Sequence, residues 1–272
     1  MKTNSLKEGM AMLATMAVIA LTSFRSNDDS AANRPFLQAI SSHAGSTLIT
    51  YNSWHAISRL TRIQHTGEET YTDVRIPVYE SGRLVSTLVS DRANGDDSHL
   101  FATFDYSAGY SKIEKIRYYT EGTEQGYDSL VYDAGGHIAE RYFFSKNING
   151  RFVNHNYQAY TWNKAGNVIQ LDNYGRMASS GNFALGSTVL YTYDNKLNPQ
   201  KQIEGLCYIT DIMPAFLSNN NILTEEVISA ENAEKTATRY QYEYNTAQYP
   251  TSVTAIYGAD GLQETTQLRY DN

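Results

Sequence analysis

Tyr132-Asp133-Ala134-Gly135-Gly136-His137-Ile138 is the stretch of sequence that decides the fold. An aromatic residue is followed by Asp or Asn, by a turn that contains Gly and then by an aliphatic residue. Trp162-Asn163-Lys164-Ala165-Gly166-Asn167-Val168 repeats this order. Weaker copies begin at Tyr79, Phe104, Tyr193 and Tyr244. A phrase that recurs in this way predicts one small supersecondary unit that the chain builds several times and stacks.

The spacing of the copies indicates what the unit is. From Tyr79 to Tyr193 the copies lie 25 to 31 residues apart, which suits two strands and two connections. In each copy the aromatic residue closes a strand, Asp or Asn starts the turn, and Gly supplies a positive φ. We therefore predict β-hairpins. After Tyr79, Tyr193 and Tyr244 the Gly is displaced or replaced, so we expect those turns to be built differently.

Tyrosines spaced by two residues predict which face of the sheet is buried. Tyr191 with Tyr193, and Tyr240 with Tyr242, place their rings on one face of a strand, because alternate residues of a strand share a face. The residues between such aromatics are expected to face water, and they are Thr161, Thr192, Gln241 and Glu243. This pattern is typical of a half-buried antiparallel sheet.

The predicted fold is all-β: an antiparallel meander of repeated β-hairpins that forms a strongly curved sheet or a soluble barrel-like structure. Six units give about 12 strands, a number at which a twisted sheet curls or closes. An interruption near residues 199–237 is too long for a hairpin loop, and we expect it to cover one end of the sheet. Helix-friendly composition occurs only around Glu225 to Lys235, which allows one short helix at most.

The N-terminal residues have the layout of a secretory signal. Lys2 and Lys7 precede an apolar stretch from Met10 to Leu21, which is shorter than the roughly 20 residues that span a bilayer. We predict a signal peptide over 1–23, a polar tether over 24–40 and a single repetitive β domain over 41–272. We therefore predict an exported protein that is located in the periplasm, at the outer-membrane surface or outside the cell. The mature chain is expected to have no transmembrane span.

Cysteine usage argues against a lipid anchor. Leu21-Thr22-Ser23 resembles the end of a lipoprotein leader, but Phe24 stands where the lipid-bearing Cys is expected. The single cysteine, Cys207, is far away in the sequence and is flanked by Leu206 and Tyr208. We predict that Cys207 is a small buried apolar residue and not a nucleophile.

The charge of the chain limits its partners. The formal net charge is −7 at pH 7. An acidic surface argues against binding to nucleic acid and to anionic membranes, since both carry negative charge.

The repeats resemble the tyrosine-aspartate repeats of Rhs-type bacterial surface and toxin-shell proteins. The C-terminal order of motifs, from Tyr193-Asp194-Asn195 through Asn219-Asn220-Asn221 to Tyr249-Pro250, is similar to an uncharacterised family of bacterial envelope proteins, often lipoproteins, with a porin-like β fold. The resemblance implies a fold and a location, and it implies no activity. The missing lipid-site cysteine departs from the usual pattern of that family.

The sequence indicates no catalytic residue, no metal ligand and no cofactor. Its six histidines lack zinc-type pairing, and it contains neither a Gly-x-Ser-x-Gly elbow nor a phosphate-binding loop. We predict a non-enzymatic cell-envelope protein that serves as a binding or structural module for a glycan, a peptide or an envelope protein. The alternative is a hydrolase of polysaccharide or cell wall whose carboxylates meet only in the fold.

Aromatic residues are the candidate binding residues, because exposed rings stack on sugars or pack in interfaces. The same rings would instead form the core if they were buried. The candidates are Tyr160, Trp162, Tyr191, Tyr193 and Tyr242.

Overall fold

The computed structural model describes residues 35–109 and 112–271. The predicted signal peptide, the question of the anchor at Phe24 and the tether up to residue 34 lie outside the described residues. The described part of the predicted tether includes the start of the first strand, Leu37–Ser42. Residues from Pro35 onward form one compact unit.

Sixteen strands and two very short helices make up this unit. The strands are β1 (Leu37–Ser42), β2 (Gly45–Tyr51), β3 (Ile57–Thr66), β4 (Glu69–Glu80), β5 (Arg83–Ser90), β6 (His99–Tyr106), β7 (Ile113–Thr120), β8 (Thr123–Tyr132), β9 (Ile138–Lys146), β10 (Phe152–Trp162), β11 (Val168–Arg176), β12 (Phe183–Leu197), β13 (Asn220–Ser229), β14 (Lys235–Tyr244), β15 (Pro250–Tyr257) and β16 (Leu262–Tyr270). The helices are α1 (Leu206–Ile209) and α2 (Pro214–Leu217).

The strands form a closed antiparallel barrel in which each strand pairs with its neighbours in sequence. The barrel closes where β1 pairs with β16, with Ile40 opposite Leu268. This confirms the all-β meander and its closure. The prediction of about 12 strands is too low, because no copy of the phrase was recognised in the hairpins β1–β2 and β15–β16.

The turn chemistry of the repeated phrase is confirmed at its two clearest copies. Gly136 and Gly166 have φ values of 88° and 77°. In each turn an Asp or Asn side chain accepts from the backbone four residues on, as Asp133 Oδ1 does from His137 N at 2.9 Å. The turn after Tyr244 has the same hydrogen bonds although Gln248 takes the place of Gly, with φ at 67°. The expectation that this turn is built differently is therefore wrong.

The interruption of the repeats is shorter than the sequence suggested. It runs from residue 198 to 219, whereas residues 220–229 form β13 and residues from 235 onward form β14. The helix-friendly stretch around Glu225 is thus a strand. Its side chains alternate between the barrel interior and the outside, and pairing with β12 and β14 overrides the weak helical preference.

Apolar side chains fill the inside of the barrel, and polar side chains cover much of the outside. The predicted water-facing residues Thr161, Thr192, Gln241 and Glu243 are all exposed. The segment from 198 to 219, which we call the plug, contributes to the interior core with Leu206, Ile209, Ile212 and Leu217. One end of the barrel is therefore occupied by the plug, and we call it the plugged end.

Candidate functional site

A ring of aromatic residues surrounds the plugged end of the barrel, one from the last residues of each returning strand. We call them the rim aromatics, and they are Tyr51, Tyr79, Tyr106, Tyr132, Trp162, Tyr193, Tyr242 and Tyr270. The sequence phrase locates this end of the strand in six of the eight hairpins. One copy needs correction, because Tyr106 and not Phe104 precedes the turn. At the last copy Tyr244 precedes the turn as the phrase requires, and Tyr242, two residues earlier, makes the bond to the backbone described below.

Rim aromatics fix the hairpins by a repeated hydrogen bond. In seven of the eight described hairpins, the side chain donates to the backbone carbonyl of an apolar residue near the start of the preceding strand. The donor–acceptor distances are 2.5–2.9 Å, as for Tyr132 Oη to the Ile113 carbonyl at 2.6 Å. Each bond satisfies a buried carbonyl where the sheet ladder ends and holds the ring over the core.

Tyr79 is the exception among the rim aromatics. Its hydroxyl is buried and has no hydrogen-bond partner among the described residues. The equivalent acceptor would be the carbonyl of Ile57, the first residue of β3. A buried hydroxyl without a partner costs free energy, so its presence here calls for a physical reason.

A cavity of about 460 Å³ lies beside Tyr79, between the rim and the plug. We call it the rim cavity. Four tyrosines line it, three from the rim and Tyr208 from α1. Its lining tyrosines are Tyr79, Tyr106, Tyr132 and Tyr208, and its charged residues are Arg83, Lys112 and Glu204.

Electrostatics keep the tyrosine hydroxyls of the rim cavity protonated. Burial, with the nearby Glu204 and Tyr106, raises the pKa of Tyr79 to about 12. Burial also raises the pKa of Tyr132 to about 12 and raises the pKa of Tyr208. At neutral pH these groups are therefore neutral donors. Lys112 adds a cation whose Nζ lies 4.8 Å from the centre of the Tyr132 ring.

The plug forms the inner wall of the rim cavity and is held to the barrel by polar contacts. Tyr208 Oη lies 3.2 Å from Tyr132 Oη. Deeper inside, Arg141 Nη1 donates to Asp211 of the plug at 2.6 Å, while its Nε donates to Asp128 of β8 at 2.8 Å. These contacts fix the position of α1 and so fix the shape of the cavity.

The five candidate binding residues lie on the inner wall of the barrel. Tyr160 and Tyr191 are buried, and Tyr160 Oη donates to the Ile212 carbonyl of the plug at 3.2 Å. Trp162, Tyr193 and Tyr242 are half-buried rim aromatics with the hydrogen bonds described above. The structure does not gather the five into one exposed row, and their part in ligand binding stays a prediction.

None of the residues that line the rim cavity was among the five binding residues predicted from the sequence. The signal for Tyr79 was a departure from the pattern, since Gly82 follows it one residue earlier than in the clearest copies. The connection is accordingly a tight turn with positive φ at Ser81 and Gly82. Tyr208 carried no signal, because it lies in the plug, where no repeat exists to compare it with.

The interior carboxylates give no support to the hydrolase alternative. Asp128 and Asp211 converge on one guanidinium, that of Arg141, which pairs with both. Asp128 also accepts from Tyr118 Oη at 2.7 Å, so it is engaged in structural contacts. This arrangement joins the plug to the wall and does not present a pair of unengaged carboxyl groups across a cleft.

Metal and thiol chemistry have little basis in the described residues. Over 35–109 and 112–271, no three His, Cys, Asp or Glu side chains are grouped closely enough to hold a metal ion. Burial raises the pKa of the Cys207 thiol to about 11, which keeps it protonated. None of the helices in these residues has the length and apolar character needed to cross a bilayer.

Comparison with solved structures gives matches of low sequence identity. A porin-like protein from Bacteroides vulgatus is 11% identical, with 88% of this chain and 99% of that chain covered and a TM-score of 0.49. A porin-like protein from Bacteroides uniformis is 13% identical, with coverages of 86% and 96% and a TM-score of 0.41. The TcdB2-TccC3 structure without its hypervariable C-terminal region is 12% identical, with coverages of 82% and 12% and a TM-score of 0.33. No protein-family model and no curated protein matches the sequence.

Proposed function

We propose that this protein is a non-enzymatic binding module of the cell envelope that holds a neutral sugar residue of a glycan in the rim cavity. The observation that carries the proposal is the buried, unpartnered hydroxyl of Tyr79 at the wall of that cavity. With a small movement of its ring toward the cavity, Tyr79 would donate to a ligand hydroxyl in place of the backbone bond that the other rim aromatics make.

The chemistry of the lining favours a sugar over an apolar ligand. Tyrosine rings offer flat apolar faces for the C–H face of a sugar, and their hydroxyls offer donors and acceptors at the ring edges. The charged residues of the lining are of both signs, Arg83 and Lys112 against Glu204, so the cavity is not dominated by a run of like charges. The cavity volume falls within the roughly 300–1,000 Å³ that is usual for small-ligand sites.

The rim hydrogen bonds make the site rigid before a ligand arrives. Tyr106 and Tyr132 are each fixed by a bond to a backbone carbonyl, at 2.9 and 2.6 Å. Little side-chain entropy is then lost on binding, which raises affinity. Export to the envelope, predicted from the leader and from the resemblance to envelope proteins, would bring the site to cell-surface or dietary glycans.

The test uses a glycan array probed with the full chain and two matched Tyr→Phe variants. Tyr79→Phe removes a hydroxyl with no partner in the protein, so we expect unchanged stability. On the array glycans that the unmodified chain binds, Tyr79→Phe should bind about fivefold to tenfold more weakly, which is the effect of losing one hydrogen bond.

Tyr51→Phe is the matched control, since Tyr51 is a rim aromatic outside the rim cavity whose hydroxyl donates to the Leu37 carbonyl at 2.7 Å. It should lower the free energy of unfolding by about 1 kcal/mol and leave glycan binding unchanged. If the unmodified chain retains no glycan, or if Tyr79→Phe binds as well as the unmodified chain, the proposal is wrong.

A further inference from the structure

The end of the barrel opposite the plug has an uneven distribution of charge. Among its connections, those after β3, β5, β7, β13 and β15 contain Asp or Glu. The neighbouring connections after β9 and β11, residues 147–151 and 177–182, contain none. Exposed cations stand at these two loops instead, and they are Lys146, Arg151 and Arg176. In a chain with a net charge of −7, this sector is locally basic.

Apolar side chains project from the same two loops. Ile148, at the tip of the first loop, is fully exposed, and Met177 opens the second with 46% of its surface exposed. Phe152 and Phe183, which begin the strands after the loops, are also exposed. A cluster of large apolar side chains exposed to water indicates a surface that binds a partner.

Aromatic rings on the outer wall continue this apolar surface. The rings of Tyr142, Tyr157 and Tyr174 stack across β9, β10 and β11, with centroids 5.1 and 4.4 Å apart. Phe183 packs edge-on against Tyr157 at 5.2 Å. We call the two loops and these rings the basic aromatic sector.

The loops that carry the apolar tips are held in shape. In the first, Arg151 N donates to Asn147 Oδ1 at 3.0 Å, and Asn147 N donates to the Arg151 carbonyl at 2.9 Å. In the second, Met177 N donates to the Asn182 carbonyl at 2.8 Å. The tips are therefore fixed convex projections beside cations.

We propose that the basic aromatic sector docks this protein onto an anionic lipid surface. Single apolar side chains on convex tips insert into the acyl region without needing a complementary pocket. Lys and Arg beside them reach the lipid phosphates, and Tyr rings suit the headgroup level. A protein partner would need a matching concave surface, so the convex shape favours lipid. The acidic loops of the other connections would be kept away from the same surface.

This proposal refines the expectation that an acidic chain avoids anionic membranes. Charges act over about 8–10 Å at physiological salt, so the local sign matters more than the total. The inference does not depend on the rim cavity, which lies at the plugged end.

The test measures local insertion with an environment-sensitive fluorophore on a single introduced cysteine. Asn149→Cys places the label beside Ile148, and Ala259→Cys places it beside Asp260, in an acidic loop at the same end, as the control. Both are made in a Cys207→Ala background, because Cys207 is half-buried and would compete for the label. With vesicles of phosphatidylcholine and phosphatidylglycerol, we expect a blue shift at position 149 and none at position 259. Vesicles of phosphatidylcholine alone should give a much smaller shift at 149.

Matched variants separate the contributions of charge and apolar surface. Lys146→Gln and Arg151→Gln should each weaken vesicle binding, reported by the label at 149, about fivefold. Lys235→Gln, which removes an exposed cation outside the sector, should not. Ile148→Ser should weaken binding, whereas Leu262→Ser, an exposed apolar residue beside an acidic loop, should not.

The proposal is overturned by any of three results. The label at 149 does not respond to anionic vesicles, the response is equal on neutral vesicles, or the sector variants behave like their controls. Because the label reports only its own position, attachment through other parts of the chain does not produce the expected result.

Discussion

Arg141 is the residue on which the interior of the barrel most depends. Its side chain is 8% exposed and pairs with Asp128, whose side chain is 4% exposed, at 2.7 Å. Burial raises the pKa of Asp128, while Arg141 and the Tyr118 hydroxyl oppose that shift. The two charges are tolerated inside only because they face each other.

Arg141→Leu should therefore destabilise the protein strongly. It leaves Asp128 buried without its cation and removes the bond to Asp211 of the plug, which together should lower the free energy of unfolding by about 3–5 kcal/mol. Urea unfolding followed by circular dichroism measures this. Arg117→Leu is the control, because Arg117 pairs with Asp105 and Glu124 on the outer wall, and less than about 1 kcal/mol is expected there. Equal losses would show that Arg141 has no special role.

Glu225 provides a prediction about pH. It faces the barrel interior beside Tyr240 and Tyr242, and burial raises its pKa above the ordinary value. The folded state therefore holds the proton more tightly than the unfolded chain. Stability is highest below the ordinary pKa of Glu and decreases as the pH rises through the raised value.

Glu225→Gln should remove this part of the pH dependence. The melting temperature should rise at pH 7 and stay unchanged at pH 4, where the carboxyl group is protonated in both states. Thermal unfolding at the two pH values measures the difference. Glu226→Gln, the next residue and one that faces outward, is the control and should show no such gain. A larger gain at pH 4 than at pH 7 would contradict the argument.

The sequence predicted that aromatic residues form the candidate site, but it did not predict which tyrosines line the rim cavity. Aromatic spacing correctly indicated rings on one face of each strand. Whether a ring is free to bind a ligand depends on its hydroxyl partner. The sequence shows that the turn after Tyr79 is one residue shorter than the turn after Tyr132, but not that only Tyr132 has its carbonyl acceptor, because that difference arises in the folded hairpin.

At the scale of the elements, the five-residue turn is the unit that the chain repeats. Residues 133–137, 147–151 and 163–167 all use it, with Gly at the fourth position in a positive φ conformation. The turn at 163–167 differs in its surroundings, because Asn219 of the plug donates to the Ala165 carbonyl at 2.8 Å. A Cβ at Gly166 would overlap that Asn219 side chain.

Gly166→Ala should therefore cost more stability than Gly150→Ala. Both substitutions carry the strain of a positive φ, about 1–2 kcal/mol. Gly150 has open space around the added Cβ, whereas Gly166 must also displace Asn219. We expect a difference of about 1 kcal/mol or more in the free energy of unfolding, measured with urea. Equal losses would mean that the plug moves aside freely.

The repeat was recognised in six hairpins and missed in the two that end at Tyr51 and Tyr270. The hairpin that ends at Tyr51 uses the same turn with His55 in the left-handed conformation, so no Gly marks it. Tyr270 ends the last described strand, and no further turn follows it in the described residues. At Tyr106, the copy was assigned to Phe104, two residues earlier, which shifts the position but not the count.

At the scale of the whole molecule, the buried tyrosines make the barrel sensitive to alkali. Burial raises the pKa to about 12 for Tyr79, Tyr132, Tyr193 and Tyr240, against an ordinary value of 10.0. The unfolded chain releases these protons near pH 10, and the folded barrel retains them. Stability is thus unaffected below pH 10 and decreases as the pH rises from 10 toward 12.

Alkaline titration should show ionisation and unfolding together. Tyrosinate absorbance and far-ultraviolet circular dichroism, recorded on the same samples, should change in one cooperative step above pH 10 for the buried rings. Gradual ionisation with an unchanged dichroism spectrum would show that the hydroxyls are open to solvent.

From the sequence, a closed barrel could be predicted only as one of two alternatives, the other being an open curved sheet. Alternating aromatic and polar residues predict a curved sheet, whether or not its edges meet. Closure depends on the fit of β1 to β16 across more than two hundred residues of chain, and no local pattern reports such a fit.

The plug also bears on how the chain finds its native order. Hairpins of nearly equal length, closed by the same ring-to-carbonyl bond, could exchange neighbours at little energetic cost, a known hazard for similar repeats. The 198–219 segment occurs in a single connection, and its hydrogen bonds to Tyr132, Arg141 and Tyr160 belong to that place in the barrel. It thereby distinguishes one hairpin connection from the others. A barrel with its hairpins in another order would lose the contacts between this segment and the inner wall.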